Sequence, residues 1–263
     1  MEADLRDAIA QEKLEVFYQP LVDISQGRIS GFEALVRWRH PTLGMVSPAE
    51  FIPLAEEVGL IVPLGEWVLR RACSEAVKWP AGINVAVNVS AVQFKNNRLI
   101  EAVTDILDVT GLAASRLELE ITESVLLTQS VKTIATLHAL RDLGIHISMD
   151  DFGTGYSSLS YLRSFPFDKI KIDQSFVGKL NAMDNSRIIV RAIVSLGASL
   201  GIRTIAEGVE TEEQLAWLKE TGCGEVQGYY FSRPVPVGEI PALLGRWNGD
   251  GLSLNSDRLR NAS

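Results

Sequence analysis

Residues able to bind a cation or a phosphate recur in this chain within or at the ends of short apolar runs. Glu33 and Arg37 lie in GRISGFEALVRWRH, Asn88 ends INVAVN, Glu120 and Glu123 end RLELEITE, and the adjacent Asp150 and Asp151 end IHISMDD. Lys171 and Asp173 lie in DKIKID, Glu207 and Glu210 end RTIAEGVE, and Gln227 lies in GEVQGYYF. Taken singly, each has an ordinary use: a strand-end acid is solvated or caps the next helix, Lys171 suits a surface ammonium, and Gln227 suits a turn cap. Their common placement points to chemistry. On parallel strands of a closed barrel the carboxyl ends meet on one face, so Glu33, Glu120, Asp150, Asp151 and Glu207 would converge and repel one another unless something positive sat among them. Histidine is scarce and misplaced for that job: His40 follows a hairpin, His138 lies in a helical pattern and His146 begins a strand. An all-oxygen donor set selects hard divalent cations, Mg2+ or Mn2+ over zinc. Five carboxylates and an amide exceed the needs of one ion. Two ions sharing a bridging carboxylate fit better, as in sites about 3.5–4 Å between metals that clamp an in-line displacement at phosphorus.

The adjacent acids set a geometric condition. Neighbours on a pleated strand face opposite ways. If the strand ends at Asp150, Asp151 is no longer pleated and both carboxylates turn toward the same ions, Asp150 bridging and Asp151 serving the second. The FGTGYSS that follows supplies glycines for a sharp turn and serines to tie it down, and such a loop orders when ligand or partner is present.

The elements that must position these residues follow from periodicity. Two apolar runs around SQGR read as a hairpin, and SPAEFIPLAEEVG and LGEWVLRRACSEAVKW read as helices. Six strand-like runs then alternate with helical segments, several of which stop at Gly111, Gly144, Gly201 and Gly222. About eight strands in all is the count that closes a parallel barrel, and the glycine fingerprint of an open doubly wound sheet is absent. The expected organisation is an amphipathic helix at residues 1–13, linking to an upstream domain, one α/β barrel at 14–248, and a polar tail at 249–263.

Bulk properties narrow the function. The 263 residues are 46% hydrophobic and 22% charged, with a formal charge of −8, which argues against a nucleic-acid duplex as partner. Cys73 and Cys223 lie far apart without metal-knuckle spacing and suit a reducing compartment. Neither a basic-then-apolar leader nor a membrane-length apolar stretch is present in the sequence, so a cytoplasmic domain without membrane contact is expected, a full-length protein being free to carry a membrane tether.

Seven motifs in order resemble the EAL domain of cyclic di-GMP phosphodiesterases: EALVR at 33–37, NVS at 88–90, EITE at 120–123, DDFGTGYSS at 150–158, KID at 171–173, EGVE at 207–210 and QGY at 227–229. The resemblance covers residues 14–234. It implies a modified (β/α)8 TIM-type barrel with an antiparallel first strand, and cleavage of one phosphodiester of cyclic di-GMP to linear pGpG. By the same resemblance Glu33, Asn88, Glu120 and Asp150 would hold one divalent cation, and Asp150, Asp151 and Glu207 the other. Lys171 would contact the nucleophilic water, with Glu33 and Gln227 completing the catalytic set. Gln19, Leu35, Arg37 and Asp173 would contact substrate, and Glu123 would anchor the glycine-containing loop that couples the site to a homodimer contact. Fusion to upstream sensor or GGDEF-type domains is also implied. The competing reading is a cyclic di-GMP receptor that retains the site and signals by binding alone. A kinase or receiver-type reading of DDFG leaves the other acids unexplained.

Overall fold

The computed structural model describes residues 1–95, 98–127, 131–153, 165–180 and 185–248. The loop from residue 154 and the expected tail at 249–263 lie outside the described residues.

Eight strands close into a barrel: β1 (Leu14–Asp23), β2 (Arg28–His40), β4 (Asn84–Asn88), β5 (Leu117–Thr122), β6 (His146–Phe152), β7 (Lys169–Ile172), β8 (Arg203–Ala206) and β9 (Glu225–Val226). Around the wall the order is β1, β9, β8, β7, β6, β5, β4, β2, and the β1–β2 pairing shuts the ring. β1 is antiparallel to both of its neighbours, while β2 and the strands after it pair in parallel. The expected barrel with its inverted first strand is therefore the observed one. Two short strands lie outside that expectation: β3 (Gly44–Val46) folds back on the end of β2, and β10 (Val235–Pro236) pairs with β1 at Phe17 and Tyr18.

The hairpin forms for a local reason. Asp23 Oδ1 accepts from Ser25 Oγ at 2.6 Å and from the Gln26 amide at 2.9 Å, an Asx turn that leads into left-handed Gly27. Several helices stop at the expected glycines, while the one expected over 64–79 runs Ile61–Ala76. Ser47 caps Pro48–Glu57, a Thr211/Gln214 capping box opens Glu212–Thr221, and Leu99–Thr110 and Ser186–Leu200 close on left-handed Gly111 and Gly201.

Alternation along the strands sorts side chains into two environments. Val85, Val87, Leu117, Leu119, Ile121, Ile147, Met149, Ile170 and Ile172 are buried and belong to the main core, which packs the outside of the wall against the helices. Residues of opposite parity point into the barrel. There, among the described residues, Leu21, Ala86 and Ile205 form a small separate buried apolar cluster, and buried polar and charged side chains such as Glu118, Glu120, Lys169 and Lys171 occupy much of the interior. The N-terminal helix Glu2–Ala10 joins the main core through Leu5 and Ala8. Among the described residues no helix is long and apolar enough to cross a membrane.

One close approach fixes the end of β9. A Cβ on Gly228 would lie 2.0 Å from the carbonyl oxygen and 2.3 Å from the nitrogen of Val209, so two backbones touch where only glycine fits. Gly228→Ala must push these segments apart at an overpacking cost of about 2–3 kcal/mol. Urea denaturation measures this loss; an unchanged midpoint would show that the contact yields freely.

Candidate active site

Lys171 sits at the centre of the acidic residues. It alternates with outward-facing Ile170 and Ile172, so its side chain enters the barrel, where it is 1% exposed. Its Nζ lies 2.7 Å from Glu207 Oε1, 2.9 Å from Glu120 Oε2, 3.3 Å from Asp150 Oδ1 and 3.8 Å from Glu33 Oε2. The surface-ammonium reading of Lys171 is thereby excluded. Burial opposes its charge, but Asp150, Glu120, Glu207 and Glu33 outweigh burial and hold its pKa well above the usual lysine value.

Around that ammonium the carboxylates are not equivalent. Burial pushes the Glu33 carboxyl up, yet Lys171 and the amides of Gln227 and Asn88 prevail and its net shift is downward. Those amides donate at short range: Asn88 Nδ2 to Glu33 Oε1 at 2.7 Å, and Gln227 Nε2 to Glu33 Oε2 at 2.6 Å. Glu120 moves the other way, raised well above the usual carboxyl range by burial and by the charge of Glu33. Burial, with Asp150 and Glu33 opposing Lys171, carries Glu207 to about 8. Asp151 is raised by burial and then by Asp150.

The strand does not end at Asp150. β6 continues to Phe152, and its register with β7 jumps from Met149↔Ile170 to Phe152↔Ile172, so Asp150 and Asp151 together face the single position of Lys171. This is a bulge, and Asp151 takes a left-handed backbone at φ +55°. Aspartate is among the residues that tolerate that conformation at a cost of about 1–2 kcal/mol. The expected result, both carboxylates on one site, is reached by a different route: oxygens of Asp150, Asp151 and Glu207 lie within 4.8 Å of one another.

These residues fit paired divalent cations. With Glu33, Glu120, Asp150, Asp151 and Glu207 ionised, five negative charges against the one positive charge of Lys171 leave the ring at −4. Two buried acceptors in it, Glu120 Oε1 and Gln227 Oε1, have no hydrogen-bond partner among the described residues. Acceptors buried without a donor cost about 1–3 kcal/mol each, a deficit that a cation or its water removes.

The remaining expected residues are placed unequally. Gln19 joins the ring, its Oε1 accepting from Gln227 Nε2 at 2.9 Å and its Nε2 donating to the Ser232 carbonyl. Leu35 lies where two cavities meet. One, about 210 Å³, is the acidic cleft lined by Gln19, Glu33, Asp150, Lys171, Glu207 and Gln227 among others. The second, about 300 Å³, is largely apolar, with Pro48, Ile52, Ile61 and Leu64 on its walls and Arg37 and Asn88 at its edge. Arg37 lies 5.8 Å over the Phe17 ring and donates to the Val36 carbonyl. Asp173 lines neither cavity; it caps Gln174–Val177 through Ser175 and adds negative charge near Asp151. Glu123 accepts from the Gly153 amide at 3.2 Å, the beginning of the loop it is expected to anchor.

Some lining residues escape the sequence reading. Tyr229, half-exposed in the acidic cleft under the Arg233 guanidinium at 4.2 Å, is part of QGY and could have been weighed for its ring. Glu56, which accepts from Ser90 Oγ at 2.6 Å on the apolar cavity wall, sits in a helix among other acids and carries no distinguishing signal.

Comparison with known proteins gives one consistent result. The EAL domain family model matches residues 2–234. An uncharacterized protein of Sinorhizobium fredii, y4lL, is 57% identical over 93% of this chain and 30% of its own length. The cyclic di-GMP phosphodiesterase NbdA of Pseudomonas aeruginosa is 44% identical over 95% of this chain and 32% of its own length. The chain thus spans about a third of the length of these curated relatives. The solved structure of the PaMucR phosphodiesterase in its c-di-GMP complex superposes with a TM-score of 0.87 at 43% identity, covering 90% of this chain and 98% of that one.

The raised carboxyls set a pH dependence. Glu207, Glu120 and Asp151 bind protons in the folded chain at pH values where the unfolded chain has released them. Raising pH from about 5 to about 8 therefore lowers the stability of the metal-free chain. Cations must displace these protons, so a fixed Mn2+ concentration stabilises the chain more at about pH 8 than at about pH 6. Denaturation with Mn2+ or EDTA at both pH values reads this difference, and equal increments would contradict it.

Proposed function

Since this chain belongs to the EAL domain family, we propose that it hydrolyses one phosphodiester bond of cyclic di-GMP to give linear pGpG, using two divalent cations, Mg2+ or Mn2+. The observation that carries the proposal is the gathering of five carboxyl groups about Lys171 at the carboxyl ends of the strands, whose charge, once all are ionised, two dications would balance. When bound, such ions supply Lewis acidity toward a phosphodiester and activate water for attack at phosphorus. Glu33, Asn88, Glu120 and Asp150 would hold one, and Asp150, Asp151 and Glu207 the other.

The chain's own groups account for the rest of the reaction. Water adds at phosphorus, the bond to one ribose 3′-oxygen breaks, and the proton released by water balances the one gained by that oxygen. Lys171, whose pKa the four surrounding acids raise in the metal-free chain, would as an ammonium stabilise negative charge that develops beside it. Gln227 fixes Glu33 and Gln19 in register with it. Arg37, which lines the apolar cavity, has guanidinium N–H groups beyond its one backbone contact to offer a phosphate. The apolar cavity beside Leu35 suits a flat purine, with the Glu56 carboxylate able to accept from its N–H edge.

Two partners belong to the same proposal. Relatives about three times as long leave room for an upstream sensor or GGDEF-type domain. A homodimer is supported by exposed Ile188, Ile189 and Leu200 on the helix Ser186–Leu200.

Incubation with cyclic di-GMP and Mn2+, followed by chromatography, should yield pGpG. Binding without product under several metals would favour a receptor. Asp150→Ala should weaken Mn2+ binding and abolish turnover, near-normal activity being incompatible with a shared ligand. Lys171→Ala should keep Mn2+ binding and lower kcat by about 10²-fold or more, the loss reported for a removed charge-stabilising donor; a change in KM alone would remove it from the reacting atoms. Glu56→Gln should raise KM about tenfold with little change in kcat, and an unchanged KM would take it out of base recognition.

A further inference from the structure

Beneath the acidic ring lies a second charged layer that the reaction does not use. Lys169 Nζ is 2.8 Å from Glu118 Oε2 and 2.6 Å from Glu225 Oε2. Ser148 Oγ donates to the other Glu118 oxygen, and Arg203 Nη1 approaches Glu225 Oε1 at 3.6 Å. Glu118, Lys169 and Glu225 are 1%, 2% and 4% exposed, and none of them lines the acidic cleft. Two acids and two bases make this layer neutral without any ion.

Its registration with the ring is regular. Apart from Arg203, each member stands two residues before a ring residue: Glu118 before Glu120, Ser148 before Asp150, Lys169 before Lys171, and Glu225 before Gln227, which lies just past the end of β9. Residues two apart share a face, so the layer lies roughly 6.6 Å below the ring, the rise of two strand residues. The tied strands β5, β7 and β9 are not neighbours, since β6 and β8 intervene. Ladder hydrogen bonds fix only adjacent strands. Lys169 reaches the second neighbour on both sides through the barrel interior.

We propose that Lys169 is a positioning residue, which ties β5 and β9 to β7 below the site and so sets the spacing of Glu120, Lys171 and Gln227 above it. This inference rests on the ring being a metal-binding active site. A buried ion triad generally adds no net stability over well-packed neutral side chains of similar volume, so its effect is on geometry. Glu118 and Glu225, with Arg203 at the edge, balance the charge of Lys169 within the layer, so its ammonium is engaged there and not among the ring acids.

The test removes the charges of the buried triad together and leaves in the layer the charge of solvent-exposed Arg203: Lys169→Met with Glu118→Gln and Glu225→Gln. The triple variant should fold, bind Mn2+ about tenfold or more weakly, and lose kcat by about tenfold or more with KM within about threefold, the range for residues that orient ligands from behind. A purely structural role would shift the thermal midpoint and leave Mn2+ affinity unchanged. A folded triple variant with wild-type Mn2+ affinity and kcat overturns the proposal. If the triple variant does not fold, Glu225→Gln decides, because it leaves a neutral Lys169–Glu118 pair: weakened Mn2+ binding supports the tie to β9, and wild-type affinity overturns it. Should the wild-type chain bind Mn2+ without turnover, the phosphodiesterase reading fails while the affinity comparison still decides the role of Lys169. A wild type that binds no Mn2+ overturns both.

Discussion

Five carboxylates held around one buried ammonium constitute the constraint on which the rest of this structure depends. Two unit charges about 4 Å apart near a protein surface interact by about 4 kcal/mol, so each like-charge pair in the ring works against folding unless positive charge lies within reach. Lys171 supplies one such charge and contacts four of the acids. The excess appears as raised proton affinity at Glu120, Glu207 and Asp151, which are the groups that a cation would relieve. A folding liability and a metal-binding capacity are thus the same physical property.

The barrel makes that concentration possible. Parallel strands bring acids from residues 33 to 207 to one rim, and alternation sends their apolar neighbours outward into the helix-facing core. Local backbone irregularities then adjust the rim. The bulge at Asp150 and Asp151 aims two consecutive carboxylates at one place, and the contact of Gly228 with Val209 holds the segment that carries Gln227. Below, the neutral layer of Glu118, Lys169, Glu225 and Arg203 occupies a level where apolar plugging is limited to Leu21, Ala86 and Ile205. The interior is graded from charge-balanced at its base to cation-demanding at its mouth.

Much of this was legible before any coordinates. The inverted first strand is implied by the family resemblance and agrees with a hairpin preceding the alternating units, and the rim acids stand out because each breaks an apolar run. The second layer was not legible for a related reason. In LELE, KIK and EVQ, charged and apolar residues alternate, which looks like a strand with one solvated face; only closure of the barrel turns that face inward. The burial of Lys171 was hidden by the same ambiguity. The bulge was missed because adjacent acids at the end of a run suggest a strand terminus as readily as an extra residue. Asp173 shows the reverse case, a motif residue whose visible work here is to cap a four-residue helix.

The most direct measurement of the central claim is the number of Mn2+ ions bound per chain, counted by isothermal titration at about pH 8 and checked against the metal content of dialysed protein. Two ions per chain, both lost on converting Asp150 to alanine, is the result that five gathered carboxyl groups with a shared ligand predict. A single ion, or two that survive loss of Asp150, would contradict it.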